Sequence, residues 1–275
     1  MIVKKAEDFG FCFGVERAIN GILDLLNKGK EVVTDGDIVH NTRVMKFLIS
    51  KGLVIERDLE DKEGTVFAIR AHGMPYEKLI KIKERFREVA DLTCPIVKAL
   101  FEKAKECRDL GYRVVVFGKE GHAEMEALKG YVEDPIILKK PVKIDDSKPV
   151  CIVSQTTSSW IEFEEFVAKL IFMNFSIKEF KVLNTICPVT VEREYEVERL
   201  SKECDLIVVV GGKHSANTGK LYRIAGRNTN VIWIEDPEEI NRYSVDGFEC
   251  VGIVSGTSTP KEDVEKVYEI LSRRD

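Results

Sequence analysis

The sequence predicts an α/β fold of three similar small parallel-sheet units arranged with pseudo-three-fold symmetry, and three observations support this prediction. Short apolar strands alternate with amphipathic helices, one order of strand, loop and helix occurs three times, and each repeat begins at a cysteine that precedes a helix (Cys12, Cys94 and Cys187). Strands that alternate with helices form parallel sheets with right-handed crossovers.

The first helix of each repeat directly follows its cysteine. Apolar residues recur at helical spacing over residues 15–26 and 96–110, and a third, more charged helix is predicted through residues 191–200. Each of these helices leads to a short apolar strand. The three strands are Glu31–Thr34, Arg113–Phe117 and Leu206–Val210.

A polar loop and a second helix follow each of these strands, and a later strand ends in a second polar turn. The polar loops are residues 37–41, 118–124 and 211–217. The later strands with their turns are residues 66–73, 150–157 and 251–258. Pro75 and Pro260 stand where the next helix is predicted to begin, a position that suits proline.

The repeat predicts the domain boundaries. We expect a first α/β unit with an N-terminal strand in residues 1–93, a second in residues 94–186 and a third in residues 187–275. A short strand precedes each cysteine, and the one before Cys12 is expected to complete the third sheet and close a ring. Ligand loops lie at the carboxyl ends of parallel strands, so we expect the polar loops and the three cysteines to converge on a common centre.

Composition and charge argue against several classes of protein. The 275 residues carry a formal net charge of −5 without a prominent basic run, so nucleic acid is not an expected partner. No apolar run reaches the length of a membrane span, and the N-terminus lacks the apolar stretch of a signal peptide, which predicts a cytoplasmic protein. Charged residues make up 32% of the chain and Gln155 is the single glutamine, a composition typical of hyperthermophiles.

The seven cysteines divide into two groups. Four lie inside helix or strand patterns, where we expect buried free thiols rather than a disulfide framework: Cys107, Cys151, Cys204 and Cys250. The other three stand at helix starts, where backbone N–H groups and the helix dipole favour an anion and lower the pKa of a thiol. We expect these three to be metal ligands.

Three thiolates favour an iron–sulfur cluster over zinc. Structural zinc normally takes four ligands that include closely spaced cysteine pairs, and the sequence has no such pair. A cubane cluster needs one ligand per iron, so three cysteines leave one iron open. An open iron favours chemistry at the cluster over electron storage alone.

The polar loops predict an anion-binding site. All four histidines lie just beyond predicted strands, in loops that also contain serine, threonine and asparagine. These residues are His40, His72, His122, His214, Thr156, Thr157, Ser215, Asn217 and Ser258. Such neutral or weakly cationic donors at helix N-termini suit a phosphate or diphosphate. The chain has no Walker loop, GxGxxG or HExxH motif, so nucleotide, dinucleotide and zincin functions lack support.

Glu124 is the carboxylate closest to these loops in the predicted fold. One interpretation is that it donates a proton to a bound substrate. The other is that it is an ordinary acidic residue in the first turn of a helix, where the dipole favours it. The residues alone leave both interpretations open.

A series of motifs together resembles one enzyme family. In chain order they are FGFCFGVERAI, VHN, RAHG, DLTCPIV, GKEGHAEMEAL, SQTT, NTICPVT, GGKHSAN and GTSTP, within a resemblance that spans residues 2–273. They resemble the 4-hydroxy-3-methylbut-2-enyl diphosphate reductases, which catalyse the last step of the non-mevalonate isoprenoid pathway.

The resemblance implies a three-unit α/β assembly around one [4Fe–4S] cluster, with Cys12, Cys94 and Cys187 as its ligands. It implies that six polar side chains bind the diphosphate: His40, His72, His122, Ser215, Asn217 and Ser258. Glu124 would deliver the proton, and Thr156 would contact the hydroxyl region of the substrate. The family often has two serines before the asparagine, whereas this chain has Ser215-Ala216-Asn217 and so lacks one side-chain donor.

The implied reaction is reductive dehydroxylation of 4-hydroxy-3-methylbut-2-enyl diphosphate to isopentenyl and dimethylallyl diphosphate. Two electrons would pass through the cluster, supplied by a donor such as ferredoxin or flavodoxin. One alternative is an open-iron hydro-lyase, which needs no electron donor. Another is a non-enzymatic cluster carrier or redox sensor, which needs no diphosphate site.

Overall fold

The computed structural model describes residues 1–56, 65–144 and 148–274. Within these ranges, twelve strands form three four-stranded sheets in which every strand pair is parallel. Helices connect the strands. The α/β class and the parallel sheets predicted from the sequence are therefore confirmed.

The strands are three to six residues long. They are β1 (Ile2–Lys5), β2 (Glu31–Thr34), β3 (Leu53–Ile55), β4 (Thr65–Ile69), β5 (Glu88–Asp91), β6 (Arg113–Phe117), β7 (Ile136–Leu138), β8 (Val150–Ser154), β9 (Phe180–Val182), β10 (Leu206–Val210), β11 (Asn230–Ile234) and β12 (Cys250–Ser255).

The helices are α1 (Phe13–Asn27), α2 (Thr42–Ser50), α3 (Tyr76–Arg85), α4 (Pro95–Asp109), α5 (Ala123–Lys129), α6 (Trp160–Met173), α7 (Pro188–Glu203), α8 (Ala216–Ala225) and α9 (Lys261–Ser272). A 3₁₀ helix covers Pro237–Arg242. In the described part of the chain, none of these helices has the length and apolar character needed to cross a membrane.

The three sheets share one strand order. The orders are β3-β2-β4-β5, β7-β6-β8-β9 and β11-β10-β12-β1. In each sheet the last strand is the one that precedes a repeat cysteine along the chain. The N-terminal strand β1 takes this place in the third sheet, where Ile2 pairs with Cys250, as the sequence predicted.

Three edge strands were missed in the sequence prediction: β3, β7 and β11. β3 and β7 are three residues long, which is too short for periodicity to distinguish a strand from a loop. β11 has five residues, and only Ile234 among them is buried. The predicted strands next to them are more buried and gave the clearer signal.

The core fixes the strands that end at the polar loops. Every residue of β4, β8 and β10 is buried, as is usual for parallel strands covered by helices on both faces. In the second sheet, Leu100 and Phe101 of α4 pack in one cluster with Met125 and Leu128 of α5. Fully burying such a side chain stabilises the folded state by about 1.5–3 kcal/mol. The strands from which the polar loops begin are therefore held firmly in the core.

The chain divides into two compact bodies by its internal contacts. Body 1 consists of Met1–Glu16, Val39–Lys51 and Pro188–Asp275, and it contains the third sheet. Body 2 consists of Arg17–Ile38 and Gly52–Cys187, and it contains the first two sheets. The boundaries expected for three α/β units (1–93, 94–186 and 187–275) stay a prediction.

Four cysteines expected to be free thiols are instead joined in two disulfides, Cys107–Cys151 and Cys204–Cys250. The sequence prediction was wrong because periodicity reports that a residue is buried and not which residue it faces. Both bonds join the end of the helix that follows a repeat cysteine (α4 or α7) to the start of a strand (β8 or β12), so they occupy equivalent places in the repeat. Cys12, Cys94 and Cys187 form no disulfide.

Candidate active site

One repeated hydrogen bond anchors the three cysteines at helix starts. In each case the backbone N–H of the cysteine donates to a carbonyl oxygen in the polar turn that follows β12, β4 or β8. The bonds are Cys12 to Thr257 at 3.0 Å, Cys94 to Ala71 at 3.0 Å and Cys187 to Thr156 at 2.8 Å. Each cysteine is therefore held beside a turn at the carboxyl end of a parallel strand, as the repeat predicted.

The thiol of Cys94 shows how the helix start acts on a cysteine. The N–H groups of Ile96 and Val97 favour its thiolate, but burial has the larger effect and raises the pKa of Cys94 above its ordinary value. The negative charges of Cys187 and Glu124 add to this rise. The lowered pKa expected from the helix dipole is thus wrong for Cys94, because the effect of burial exceeds that of the helix start.

Glu124 is buried in body 2, with 1% of its surface exposed, and Thr156 binds both of its carboxyl oxygens. The backbone N–H of Thr156 donates to Oε1 at 2.8 Å, and its hydroxyl donates to Oε2 at 2.7 Å. Burial raises the pKa of Glu124 to about 7, against the opposing effect of these two hydrogen bonds. The carbonyl oxygen of Thr156 also accepts the backbone N–H of Cys187, so Thr156 links Glu124 to Cys187.

His122 and His72 lie together in body 2. His122 caps α5, where its Nδ1 accepts the backbone N–H of Glu124 at 3.2 Å. A neutral imidazole that accepts at Nδ1 carries its proton on Nε2, which leaves Nε2 as a donor. The ring of His72 stands edge-on to that of His122, with 5.9 Å between the ring centroids. Two of the histidines predicted to bind diphosphate are therefore neighbours.

His40 and Ser258 are brought together in body 1. The hydroxyl of Ser258 donates to the carbonyl oxygen of His40 at 3.2 Å. The buried side chain of Asn41 joins the same two loops, since Nδ2 donates to the carbonyl oxygen of Ser258 at 2.8 Å while Oδ1 caps the start of α2. Asn41 was not among the predicted site residues. An asparagine immediately before a predicted helix is a signal that could have found it.

Ser215 and Asn217 belong to the same part of body 1. Ser215 caps α8, and a β-carbon on Gly212 would lie 2.5 Å from the carbonyl oxygen of His40, so this loop packs directly on the His40 loop. The amide oxygen and nitrogen of Asn217 are both buried and have no hydrogen-bond partner among the described residues. A buried amide without a protein partner marks a place for a ligand or water. His214, by contrast, is exposed.

The three repeat cysteines are chemically suitable ligands for an iron–sulfur cluster. Across residues 1–56, 65–144 and 148–274, no group of three or more His, Cys, Asp or Glu side chains is close enough to hold a metal ion. The three repeat cysteines are nevertheless the ones outside disulfides, and each has the same backbone anchor at a helix start. Thiols of this kind are the usual ligands of iron–sulfur clusters.

Comparisons with known proteins agree in assigning one enzyme family. A family model described as "LytB protein" matches residues 3–272. A relative from Thermotoga neapolitana is 54% identical over 97% of this chain and 93% of its own length. A relative from Thermotoga maritima is 52% identical over 98% of this chain and 96% of its own length. Both are named 4-hydroxy-3-methylbut-2-enyl diphosphate reductase.

Two solved structures resemble the chain. One is described as (E)-4-hydroxy-3-methyl-but-2-enyl diphosphate reductase, the terminal enzyme of the non-mevalonate pathway, and is 33% identical with a TM-score of 0.72, covering 99% of this chain and 100% of the other. The other is described as the E-1-hydroxy-2-methyl-but-2-enyl-4-diphosphate reductase from Plasmodium falciparum. It is 24% identical with a TM-score of 0.90, covers 98% of this chain and 88% of the other, and supports the fold alone.

Proposed function

The chain belongs to the LytB protein family, and we propose that it is a 4-hydroxy-3-methylbut-2-enyl diphosphate reductase. In this reaction the allylic C–O bond breaks, two electrons and two protons are consumed, and the products are water and isopentenyl or dimethylallyl diphosphate. The observation that supports it most strongly is the buried Glu124–Thr156 pair, because its carboxyl group has a pKa of about 7 and is linked through Thr156, by two hydrogen bonds, to the backbone of Cys187.

The hydrogen bonds favour Oε2 of Glu124 as the oxygen that carries the acidic proton. Oε1 accepts the backbone N–H of Thr156, and a backbone N–H can only donate. In the neutral carboxylic acid the proton would therefore be on Oε2, and the hydrogen bond between Oε2 and the Thr156 hydroxyl would reverse, so that Oε2 donates to the hydroxyl. Thr156 can then pass its own hydroxyl proton to the departing hydroxyl group of the substrate. We propose this two-residue relay as the general acid.

We propose Cys12, Cys94 and Cys187 as ligands of a [4Fe–4S] cluster. When bound, the cluster supplies the two electrons one at a time and a Lewis-acidic open iron. The protein contributes three thiols on rigid helix starts.

We propose that the diphosphate is bound by six neutral donors: His40, His72, His122, Ser215, Asn217 and Ser258. Asn217 is the clearest case, because its buried amide has no other hydrogen-bond partner among the described residues. Ala216 can contribute only its backbone N–H.

A turnover assay tests the proposal and separates it from the two alternatives. Anaerobic enzyme is incubated with substrate, with and without a chemical one-electron reductant, and the products are identified by mass spectrometry. A reductase forms isopentenyl and dimethylallyl diphosphate only with reductant. A hydro-lyase would turn over without it, and a cluster carrier would neither turn over nor bind inorganic diphosphate. In the cell we expect an electron donor such as ferredoxin or flavodoxin.

A further inference from the structure

A buried arginine holds the loop that leads to Cys12. Arg193 lies on α7, and its side chain is 2% exposed. Its Nη2 donates to the carbonyl oxygen of Gly10 at 2.9 Å, and its Nη1 donates to the carbonyl oxygen of Ser255 at 2.9 Å. Nε adds a bond to the Asp8 carboxylate at 3.3 Å. One guanidinium thus joins the loop before Cys12 to the end of β12.

The hydroxyl of Ser255 also links the loop before Cys12 to Arg193. Its hydroxyl accepts the backbone N–H of Gly10 at 3.1 Å, and Nη1 of Arg193 also reaches this hydroxyl at 3.3 Å. Gly10 has φ +91, a conformation that glycine adopts readily and other residues do not, so the loop bends sharply where it is held. Two residues later, Cys12 donates to the carbonyl oxygen of Thr257, immediately before Ser258.

At position 193 the planar, forked shape of the arginine side chain matters more than its positive charge. The partner carboxylate of Asp8 is half exposed, so the ion pair itself contributes little. The two main-chain carbonyl oxygens of Gly10 and Ser255 are the well-aligned acceptors, and the planar guanidinium reaches both at once. A lysine has one nitrogen and can satisfy at most part of this arrangement. Burying a charged group is costly unless hydrogen bonds of good geometry satisfy it, and four acceptors surround the Arg193 guanidinium.

A second arginine makes a similar arrangement in body 2. Arg17 of α1 donates to the carbonyl oxygens of Thr93 at 3.0 Å and Asp91 at 3.1 Å, immediately before Cys94. The chain therefore uses a helix arginine twice to hold the segment that leads into a repeat cysteine.

We propose that Arg193 is a positioning residue that fixes Cys12 and the Ser258 turn in one arrangement. Its hydrogen bonds go to the loop of residues 8–12 and to the end of β12, and through these segments it acts on Cys12 and Ser258. The inference rests on the proposed function, in which Cys12 is a cluster ligand and Ser258 binds diphosphate. If Arg193 is replaced, Cys12 should become mobile while Cys94 and Cys187 keep their own anchors.

The test measures the alkylation rate of each cysteine in cluster-free protein. Iodoacetamide labelling is followed by peptide mass spectrometry, which reports the three repeat cysteines separately within one sample. The variants are Arg193→Lys and Ser255→Ala. The matched control is Arg199→Lys, since Arg199 lies on the exposed side of the same helix and pairs with Glu196 and Glu203 at the surface.

We expect Arg193→Lys to raise the alkylation rate of Cys12 relative to Cys94 by about tenfold, because the loop opens more often once its charged hydrogen bonds are lost. Ser255→Ala should raise the ratio less, and Arg199→Lys should leave it at the wild-type value. A general loss of stability would raise the alkylation rates of all three cysteines together. An unchanged ratio in both Arg193→Lys and Ser255→Ala, or an equal rise at all three cysteines, overturns the proposal.

The readout also separates this proposal from the proposed function, because it requires neither a cluster nor turnover. A wild-type protein that binds no iron would overturn the cluster assignment but leave the alkylation ratio as a valid test of Arg193. If Arg193→Lys does not fold, Ser255→Ala decides, since it removes a single hydroxyl that lies between Arg193 and Gly10. A wild-type ratio in that variant counts against the proposal.

Discussion

Glu124 shows what a single residue's surroundings add to its identity. Its position in the sequence was compatible with a proton donor and with an ordinary acidic residue in a first helical turn. Burial and the two hydrogen bonds from Thr156 separate Glu124 from an ordinary helix-start carboxylate, which remains in water, and they support the proposed role as proton donor. A sequence pattern indicates that a residue lies at a loop, whereas the raised pKa depends on what the fold places around it.

We expect Glu124→Gln to slow reductive turnover by roughly 10²-fold or more, because the amide keeps the size of the side chain but has no acidic proton. Iron content and substrate affinity should stay close to wild type. Steady-state rates with a chemical reductant and a binding titration on the same sample measure both. Glu126→Gln is the matched control, since Glu126 is an exposed carboxylate two residues along the same helix. Turnover of Glu124→Gln within a few-fold of wild type would mean that the proton comes from another group.

The raised pKa of Glu124 also predicts a pH dependence of stability. Its folded pKa of about 7 exceeds the ordinary value of 4.5, so the folded state binds the proton more tightly than the unfolded state. Stability from this group is fully present below pH 4.5 and is lost as the pH rises to about 7.

We therefore expect cluster-free Glu124→Gln to be more stable than wild type at pH 8, by on the order of 1–3 kcal/mol, and this gain should shrink toward pH 5. Urea unfolding at both values measures the difference. A gain of the same size at both pH values would show that ionisation of Glu124 is not its source.

Asn217 is expected to account for much of the anion affinity. Its amide is buried without a partner in the described structure, so a ligand that pairs with it gains hydrogen bonds without displacing protein contacts. Asn217→Ala should weaken binding of both substrate and inorganic diphosphate by about tenfold. Calorimetric titration with inorganic diphosphate gives the affinity directly. Asn228→Ala, in a loop beyond α8, serves as the control, and equal affinities in the two variants would place the anion elsewhere.

At the scale of elements, the sequence predicted the helices and strands that are long and regular. The helices after the three cysteines and the strands β2, β6 and β10 lie where apolar periodicity placed them. The edge strands β3 and β7 were missed because three residues are too few to show a periodicity of apolar residues. The two disulfides were missed because pairing depends on how a helix crosses its sheet, which is a tertiary property.

The disulfides predict a dependence of stability on reductant. In denaturant without reductant, a thiol assay should find three reactive thiols, and with reductant all seven. Each bond closes a loop of 44 or 46 residues, for which the chain-entropy model gives about 4 kcal/mol of stabilisation. Reduced protein should therefore melt at a clearly lower temperature. Seven reactive thiols without reductant would instead support the free thiols expected from the sequence.

In the molecule as a whole, the repeat predicted that each cysteine lies beside a polar turn at the end of a parallel strand. The hydrogen bond from each cysteine to its turn recurs three times, and the same strand order recurs three times. Position in the repeat predicted three metal-ligand cysteines and an anion-binding site, whereas the family resemblance implied the specific roles of Glu124 and Thr156. The residues that support the site, Asn41 and Arg193, were missed because their partners are distant in sequence and only the fold identifies them.

Iron content in anaerobically purified protein, compared across cysteine variants, is the most direct test of the three cysteines as cluster ligands. We expect wild type to be brown with about four irons per chain, and Cys12→Ser, Cys94→Ser and Cys187→Ser each to lose the cluster. Cys107→Ser, which alters a disulfide cysteine, should keep it. A colourless wild type that contains zinc, or cluster content unaffected by the three serine variants, would contradict the assignment of these cysteines as ligands and with it the proposed reaction.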